Sequence, residues 1–386
     1  MNDFTFCNPT RVYFGHDGIA RALDAEMPAM GDTVMIAYGG GSVMRTGTFD
    51  AVADRLRAAG KRVVAFGGVM PNPTYAKVQE GAELARREGV DFILALGGGS
   101  VVDCCKVVSA QARLDEDLWS LERDRGGSPT DLIPIGALVT VSGTGAEMNN
   151  GAVITHEDLQ VKGPLWGAQP AFAVLDPDVM MTVPPAQVVS GAFDTLSHCM
   201  ETYFGVPGEY NLSDSINEAI MRDVIRHLRT VAFDPHDYEA RSELAWASAM
   251  AENSILKIGK VTDFQCHMIE HQLGALTDCN HGQGLAAIHP ALYRHLAAAN
   301  PAKFARFAVE VMGVDPQGRD EQEMALAGVD ALASLIAEVG LPTTLTEMGI
   351  TDEAVLRQVA DTSVLTAGCC KRLDPDEILA ILHESL

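Results

Sequence analysis

The stretch FILALGGGSVVD, residues 92–103, decides the fold of the first half of the chain. Its β-prone apolar run ends in three glycines and a serine, and a helical pattern begins directly afterwards. The same GGGS turn occurs at residues 39–42, after the strand-like run 34–38. One such turn alone is often only a tight turn, but two at strand ends indicate loops that approach an anion closely. Ser100 is the expected N-cap of the helix that follows.

Strands and helices alternate around these turns. We expect strands at 33–38, 62–66, 92–96 and 133–139, helices at 49–59 and 75–87 between them, and an irregular hairpin at 151–174. A helix between successive strands implies right-handed crossovers and a mostly parallel sheet, whose ligands bind at the carboxyl ends of the strands. Residues 1–184 are therefore predicted to form a Rossmann-like α/β domain that binds a dinucleotide.

The pattern changes after Pro184 and Pro185, where apolar residues recur at helical spacing. We expect helices at 186–203, 212–231, 239–254, 263–276 and 285–298, with further helices to the C-terminus. Residues 185–386 are predicted to form an all-helical domain that carries the substrate.

Charge and composition exclude several classes of protein. The 386 residues carry a net charge of −24, which argues against nucleic-acid binding. No apolar run is long enough for a membrane span, and the N-terminus has no signal-peptide pattern. The eight cysteines form a poor disulfide framework, so we expect reduced thiols and a cytoplasmic protein. In so acidic a chain, backbone N–H groups must supply much of the potential that holds a pyrophosphate.

The helical half contains a set of metal-ligand side chains. Asp194 and His198 are four residues apart and share a helix face, His267 and His271 repeat that spacing, and His281 follows. A single pair of this kind is usually a cap or a packed core histidine. Two pairs and a further histidine favour a divalent cation, and one carboxylate with several imidazoles suits Zn(II) or Fe(II).

The chain resembles the iron-containing, or group III, alcohol dehydrogenases, within the branch of NADPH-dependent aldehyde reductases and butanol dehydrogenases. The most specific matching residues are Leu175-Asp176-Pro177, Val183-Pro184-Pro185, Gly191 to Leu196 and His198 to Glu201. The resemblance implies that Asp194, His198, His267 and His281 bind the metal. It also implies that His271 is a catalytic or proton-relay residue.

The resemblance further implies a group of residues that contact the dinucleotide. They are Gly40, Gly41, Ser42, Asn72, Gly98, Gly99, Ser100, Asp103, Thr140, Thr144 and Lys162. Asp103 also has a simpler explanation, because carboxylates are favoured in the first turn of any helix. Residues 39–48 contain no carboxylate that would repel a 2'-phosphate, and together with Ser42 and Arg45 this favours NADP(H) over NAD(H).

These observations predict an oxidoreductase that interconverts small aldehydes and primary alcohols by hydride transfer, using one divalent metal, Fe(II) or Zn(II). Apolar residues near the ligands favour short or medium aldehydes, and the strand-like segment 12–14 favours a homodimer. Three alternatives remain: a glycerol dehydrogenase-type enzyme, a dehydroquinate synthase-like lyase, and a non-catalytic dinucleotide-binding protein. The lyase is disfavoured because residues 189–210 and 262–290 contain no Lys or Arg for a phosphorylated substrate.

Overall fold

A computed structural model describes residues 2–386, which divide into two compact units. One unit is Asn8–Val183, and the other combines residues 2–7 with Pro184–Leu386. The division falls at the Pro184-Pro185 pair. Residues 2–7 therefore do not belong to the α/β unit, in contrast to the predicted boundary. Their link to the helical unit includes the Asn2 backbone N–H, which donates to the Gly259 carbonyl at 3.0 Å.

The first unit is an α/β unit built on a parallel sheet, as predicted. In chain order its strands are β1 (Arg11–Phe14), β2 (Thr33–Tyr38), β3 (Arg62–Phe66), β4 (Phe92–Gly97), β5 (Ile135–Val139), β6 (Gly151–His156), β7 (Val161–Trp166) and β8 (Phe172–Leu175). Six of them pair in the order β1-β8-β5-β4-β2-β3, and all of these pairings are parallel. The central strands β4 and β5 are buried along their whole length, which is typical of a sheet covered on both faces.

Six helices of this unit precede or follow the strands. They are α1 (Gly18–Glu26), α2 (Ser42–Arg45), α3 (Thr48–Ala58), α4 (Tyr75–Glu88), α5 (Gly99–Gln111) and α6 (Pro177–Met180). β6 and β7 form a separate antiparallel hairpin. The prediction of one hairpin over 151–174 was wrong at its end, because Phe172–Leu175 leaves it and inserts between β1 and β5. Four apolar residues carry no local signal that distinguishes these two pairings.

The second unit is helical, also as predicted. Its helices are α7 (Pro185–Tyr203), α8 (Leu212–Phe233), α9 (Tyr238–Glu252), α10 (Gln265–Thr277), α11 (His281–Ala297), α12 (Pro301–Glu310), α13 (Glu321–Glu338), α14 (Glu353–Thr362) and α15 (Pro375–Glu384). Among residues 2–386 no helix combines the length and the apolar character that a bilayer span needs.

Helix α11 begins at His281, four residues earlier than expected. The Asn280 side chain accepts a hydrogen bond from the Gln283 N–H at 3.1 Å and so caps the helix. Gly282 and Gly284 lower the helix propensity of this first turn, which explains the late prediction. The cap places His281 at the first helical position, and its side chain there remains 24% exposed.

Candidate metal centre

Asp194 lies at the centre of a cluster built from three helices of the second unit. Its Oδ1 is 3.3 Å from His198 Nδ1 on α7, 3.4 Å from His267 Nε2 on α10 and 3.5 Å from His281 Nε2 at the start of α11. Asp194 and His198 are within one helical turn because they are separated by four residues. The structure thus brings together the four residues that the resemblance implied as ligands.

Asp194, His267 and His281 form the tightest group in this cluster. One ligand atom from each lies within 4.8 Å of the others. His198 adjoins the group, with its ring centroid 4.3 Å from that of His267. Asp194 Oδ1 and His267 Nε2 are buried, and neither has a hydrogen-bond partner among the described residues. A buried carboxylate oxygen and imidazole nitrogen left in this way fit a bound cation, which would satisfy both.

Nδ1 of each histidine has an acceptor. For His267 and His281 it is the nitrogen other than the one close to Asp194 Oδ1, whereas for His198 it is the same nitrogen that lies close to Asp194 Oδ1. His198 Nδ1 lies 2.9 Å from the Asp194 carbonyl, His267 Nδ1 contacts Glu201 Oε2, and His281 Nδ1 contacts Glu270 Oε2. Carbonyl and carboxylate oxygens accept, so in each neutral imidazole Nδ1 carries the proton and Nε2 keeps its lone pair. This tautomer is the one that can coordinate a metal through Nε2.

The electrostatic environment of the cluster favours positive charge. Burial alone would raise the pKa of Asp194, but His198 and His281 outweigh it and hold the pKa well below its usual range. Burial likewise lowers the pKa of His198 and His281, yet nearby carboxylates raise both to about 9. The same negative potential attracts a divalent cation, and the imidazoles must then be neutral to coordinate it.

His271 lies on the same side of α10 as His267, as its spacing predicted. It is buried, and its ring centroid is 6.0 Å from that of His267 and 5.5 Å from that of His281. It therefore lies beside the cluster rather than within the group around Asp194. A ligand atom of His271 lies within 4.8 Å of those of Glu270 and His281.

Sequence reasoning missed two carboxylates that shape this cluster, Glu201 and Glu270, whereas it included Phe264 among the apolar residues near the ligands. Glu201 and Glu270 each occur three residues after a predicted ligand, a spacing that could have drawn attention to them. Phe264 packs its ring against His198 and His267, with centroids 5.6 and 4.8 Å away. Its left-handed backbone (φ 54°) immediately precedes α10 and carries no sequence signal.

Eight of the eleven predicted dinucleotide residues lie at one edge of the sheet in the first unit, after three neighbouring strands. β2, β4 and β5 are parallel neighbours, so residues 39–42, 97–100 and 140–144 follow their carboxyl ends together. Gly99 is required by packing, because a Cβ there would lie 2.3 Å from Thr144 Oγ1. Gly41 adopts φ +89° before α2, a conformation that L side chains rarely adopt.

The proposed N-cap role of Ser100 was wrong. Gly98 is the N-cap of α5, and its carbonyl accepts the N–H groups of Val101 and Val102 at 3.0 and 3.2 Å. The extended backbone at Gly98 starts the helix two residues earlier than expected, so Ser100 lies inside the first turn. No side-chain hydrogen bond caps this helix.

Asn72 and Lys162 lie together although ninety residues separate them. Lys162 Nζ donates to Asn72 Oδ1 at 2.8 Å. The contact forms because Thr155, paired with Lys162 in the β6–β7 hairpin, donates its N–H to the Pro73 carbonyl at 2.9 Å. Lys162 is thus a buried cation held by this hairpin.

Asp103 has structural partners in this unit. Its Oδ2 accepts the Val153 N–H at 2.9 Å, and its Oδ1 lies 3.5 Å from the buried Lys106 Nζ. Burial raises the pKa of Asp103, and Lys106 opposes that shift. Asp103 therefore anchors the β6–β7 hairpin to α5, whatever ligand it also contacts.

Models of one protein family match both parts of the chain. Residues 9–177 match the iron-containing alcohol dehydrogenase model, and residues 188–386 match the C-terminal model of the Fe-containing alcohol dehydrogenase family. The chain is 36% identical to a probable NADH-dependent butanol dehydrogenase of Bacillus subtilis over the full length of both proteins. It is 34% identical to the NADPH-dependent aldehyde reductase YqhD of Escherichia coli, over 92% of this chain and 91% of that protein.

Solved structures give the same result. The NADH-dependent butanol dehydrogenase A of Thermotoga maritima superimposes with a TM-score of 0.94 at 34% identity, covering 100% of this chain and 99% of that one. Escherichia coli YqhD superimposes with a TM-score of 0.92 at 32% identity and the same coverage. The parallel sheet, the helical unit and both family models lead to one conclusion: the chain belongs to the iron-containing alcohol dehydrogenase family and is an alcohol/aldehyde oxidoreductase that uses a metal and a nicotinamide cofactor.

Proposed function

We propose that this enzyme is an NADPH-dependent reductase of small aldehydes whose metal, Fe(II) or Zn(II), is held by Asp194, His198, His267 and His281. The observation that carries the proposal is the convergence of three imidazoles on Asp194 Oδ1. A divalent cation in this position supplies Lewis-acid polarisation of a carbonyl oxygen, and the nicotinamide supplies the hydride. The four side chains hold the cation, and the acceptors at Nδ1 orient the rings.

His271 is the proposed proton carrier. Its place beside His267 and His281, outside the group around Asp194, leaves it available to exchange a proton. An imidazole has an intrinsic pKa near neutrality, which suits transfer of a proton to a nascent alkoxide. The proposed role is general acid catalysis, by direct contact or through ordered water.

NADP(H) preference is proposed from the first glycine turn. This turn has no carboxylate to repel a 2'-phosphate, and the Arg45 side chain lies close to it, with Nη1 3.9 Å from the position a Cβ on Gly41 would take. Together with Gly40, Gly41 and Ser42, Arg45 would surround that phosphate. We also propose that a further group of residues contacts the rest of the dinucleotide: Asn72, Gly98, Gly99, Ser100, Asp103, Thr140, Thr144 and Lys162.

The substrate is proposed to be a short or medium, uncharged aldehyde. Phe264 is partly exposed and packs on two of the proposed ligands, and Met268 and Leu276 on α10 are also partly exposed. Leu196 and Leu273 are completely buried, so they belong to the core rather than to a substrate surface. Residues 189–210 and 262–290 contain no Lys or Arg to pair with an anionic substrate.

A homodimer formed through β1 is part of the proposal. β1 is the last strand at one side of the sheet. The N–H groups of Arg11 and Gly15 donate to the carbonyls of Ala171 and Leu175, on the side of β1 that faces β8. Successive N–H groups of a strand point to opposite sides, so the N–H of Val12 points to the unpaired edge. Val12→Pro would remove that donor and keep the β1–β8 pairing; a monomer in sedimentation analysis would support pairing across this edge, and an unchanged dimer would contradict it.

A cytoplasmic location is also proposed. All eight cysteines are free thiols in the structure, and Cys104, Cys105, Cys199 and Cys266 are buried. Free thiols are typical of proteins from reducing compartments.

The central experiment combines turnover with metal analysis. We expect the purified enzyme to oxidise NADPH in the presence of butyraldehyde, which a lyase or a non-catalytic binding protein would not do. His267→Ala should lose both metal and activity, whereas His271→Ala should keep the metal and turn over slowly. His227→Ala, which alters a histidine paired with Asp223 on α8, is the matched control. Full activity of the His267 variant would refute the metal assignment, and elemental analysis after aerobic and anaerobic purification separates iron from zinc.

A further inference from the structure

Two buried carboxylates connect the helices that carry the histidine cluster. Glu201 on α7 contacts His267 on α10, and Glu270 on α10 contacts His281 on α11. Both carboxylates are almost fully buried, with 1% and 0% of the side chain exposed. Each histidine is therefore oriented by a carboxylate from a different helix. Such partners fix the ring and increase its basicity as a ligand.

The two carboxylates have different additional partners. Glu201 also accepts the backbone N–H groups of Cys266 at 2.6 Å and His267 at 3.3 Å, so it supports the first turn of α10 itself. Glu270 contacts side chains, those of His281 and Cys279, whose Sγ is 3.7 Å from Glu270 Oε1. A substitution at Glu201 would remove an acceptor from the first turn of α10, whereas one at Glu270 keeps that acceptor and changes the contact with His281.

His281 is the ligand that most needs support. Its side chain is 24% exposed, against 2% for His267 and 5% for Asp194. The backbone beside it is fixed, because Ser190 Oγ contacts Asn280 Oδ1 at 2.5 Å and a Cβ on Gly282 would lie 2.3 Å from the Ser190 carbonyl. These contacts hold the main chain against α7 and do not involve the imidazole ring. The Glu270 carboxylate at Nδ1 restricts rotation of that ring.

We propose that Glu270 is a positioning residue that keeps His281 directed at the metal and so determines how tightly and how long the enzyme retains it. This inference rests on the proposed metal site. Loss of the negative charge would make His281 a weaker donor and let its ring turn toward solvent. Because His281 is the most exposed ligand, its dissociation is the first step by which the cation leaves.

The test uses zinc as the probe and the full-length protein. Glu270→Gln keeps the size of the side chain and an acceptor oxygen but removes the charge. We expect its zinc affinity, measured by competition with a chromophoric chelator, to fall about 10- to 100-fold, with a comparable acceleration of zinc loss. Loss of the buried contact with His281 will also lower the unfolding temperature of the metal-free form, so the zinc measurements are made at a temperature where circular dichroism shows that the variant is folded. Glu243→Gln on the exposed side of α9 is the matched control, and it should retain zinc like the parent.

The outcomes separate this inference from the proposed site. If His281→Ala loses zinc but Glu270→Gln binds and releases it like the parent, the positioning role is overturned and the site stands. If His281→Ala also retains zinc with unchanged affinity, the proposed ligand set itself is wrong. If Glu270→Gln does not fold, Glu270→Asp is the second variant, because its side chain is one methylene shorter and its carboxylate lies farther from His281. Faster zinc loss from this variant supports the proposal, and an unchanged rate overturns it.

Discussion

The glycine turns at the sheet edge and the histidine cluster of the helical unit differ in the kind of group that each contributes. At the edge, residues 39–42 and 97–100 have little or no side chain, so in the proposed dinucleotide site the backbone itself would face the ligand. In the cluster, every contributing group is a side chain, and each ring is oriented by another group of the protein: Glu201 contacts His267, and the Asp194 carbonyl contacts His198. The sheet edge therefore requires that no side chain fills the space beside its glycines. The cluster requires that its buried charged groups keep their partners.

This difference predicts how each region fails. Adding atoms damages the edge at the second glycine turn, because packing around Gly97, Gly98 and Gly99 is already close. Removing or neutralising a group damages the cluster, because the remaining buried polar atoms lose their compensation. The following variants test the contrast, beginning with the largest expected effect.

Asp194→Asn should abolish metal binding and lower turnover by at least about a thousandfold, since Lewis-acid stabilisation is worth several kcal/mol. The substitution removes the negative charge on which three imidazoles converge. Metal content and kcat are the measurements. Asp330→Asn on α13, which alters a surface pair with Arg294, is the control and should change neither. If the Asp194→Asn enzyme kept its metal and its activity, the cluster would not be the catalytic metal centre.

Gly99→Ala should destabilise the protein by about 1–3 kcal/mol, the usual cost of overpacking. The new Cβ would meet Thr144 Oγ1 at 2.3 Å, whereas a Cβ on Gly40 would meet no atom within 4 Å. Urea unfolding should therefore separate Gly99→Ala from Gly40→Ala, whose stability should stay within about 0.5 kcal/mol of the parent. Equal stability of the two variants would show that the edge has more room than the structure allows.

Arg45→Ala should raise the KM for NADPH about tenfold and leave the KM for NADH unchanged, because a hydrogen bond to a charged group contributes about 1.5 kcal/mol or more. Arg45 is the basic residue of α2, next to the first glycine turn. Arg57→Ala on α3 removes another exposed arginine and should change neither KM. Parallel losses with both cofactors would argue against a 2'-phosphate contact.

Asp263→Asn should alter the pH dependence of stability in the helical unit. Burial, aided by Glu201, raises the pKa of Asp263 to about 7. Between its ordinary pKa near 4 and this value, the folded chain holds a proton that the unfolded chain releases, so stability falls as the pH rises through that window. At about pH 8 the variant should be more stable than the parent by at least about 1.4 kcal/mol, equivalent to one pKa unit. Thermal unfolding at about pH 5 and about pH 8 measures the difference, and parallel profiles would contradict it.

Local patterns were sufficient for most elements of the fold. Apolar runs ending in glycine predicted β2 and β4, and helical spacing predicted α7 and α10 within two residues. The errors fell where a short segment depends on distant partners. Phe172–Leu175 pairs with β1 and β5, and α11 starts at His281 because the Asn280 cap outweighs two glycines.

The same distinction between local patterns and contacts with distant residues applies to the candidate site. Spacing along a helix indicated Asp194 with His198 and His267 with His271, because residues four apart share a face. The carboxylates behind the ligands were not predicted, since Glu201 lies 66 positions from His267 and a glutamate on a helix is ordinary in so acidic a chain.

The sequence by itself determined the alternation of strands and helices, the glycine turns and the kinds of side chain that can hold a cation. These properties depend on residues a few positions apart, where periodicity and backbone conformation act directly. Only the tertiary structure decided that α7, α10 and α11 meet at Asp194, which nitrogen of each histidine is left to bind, and which carboxylate orients it. Those outcomes depend on helix packing and on hydrogen bonds between distant residues, which no local pattern encodes.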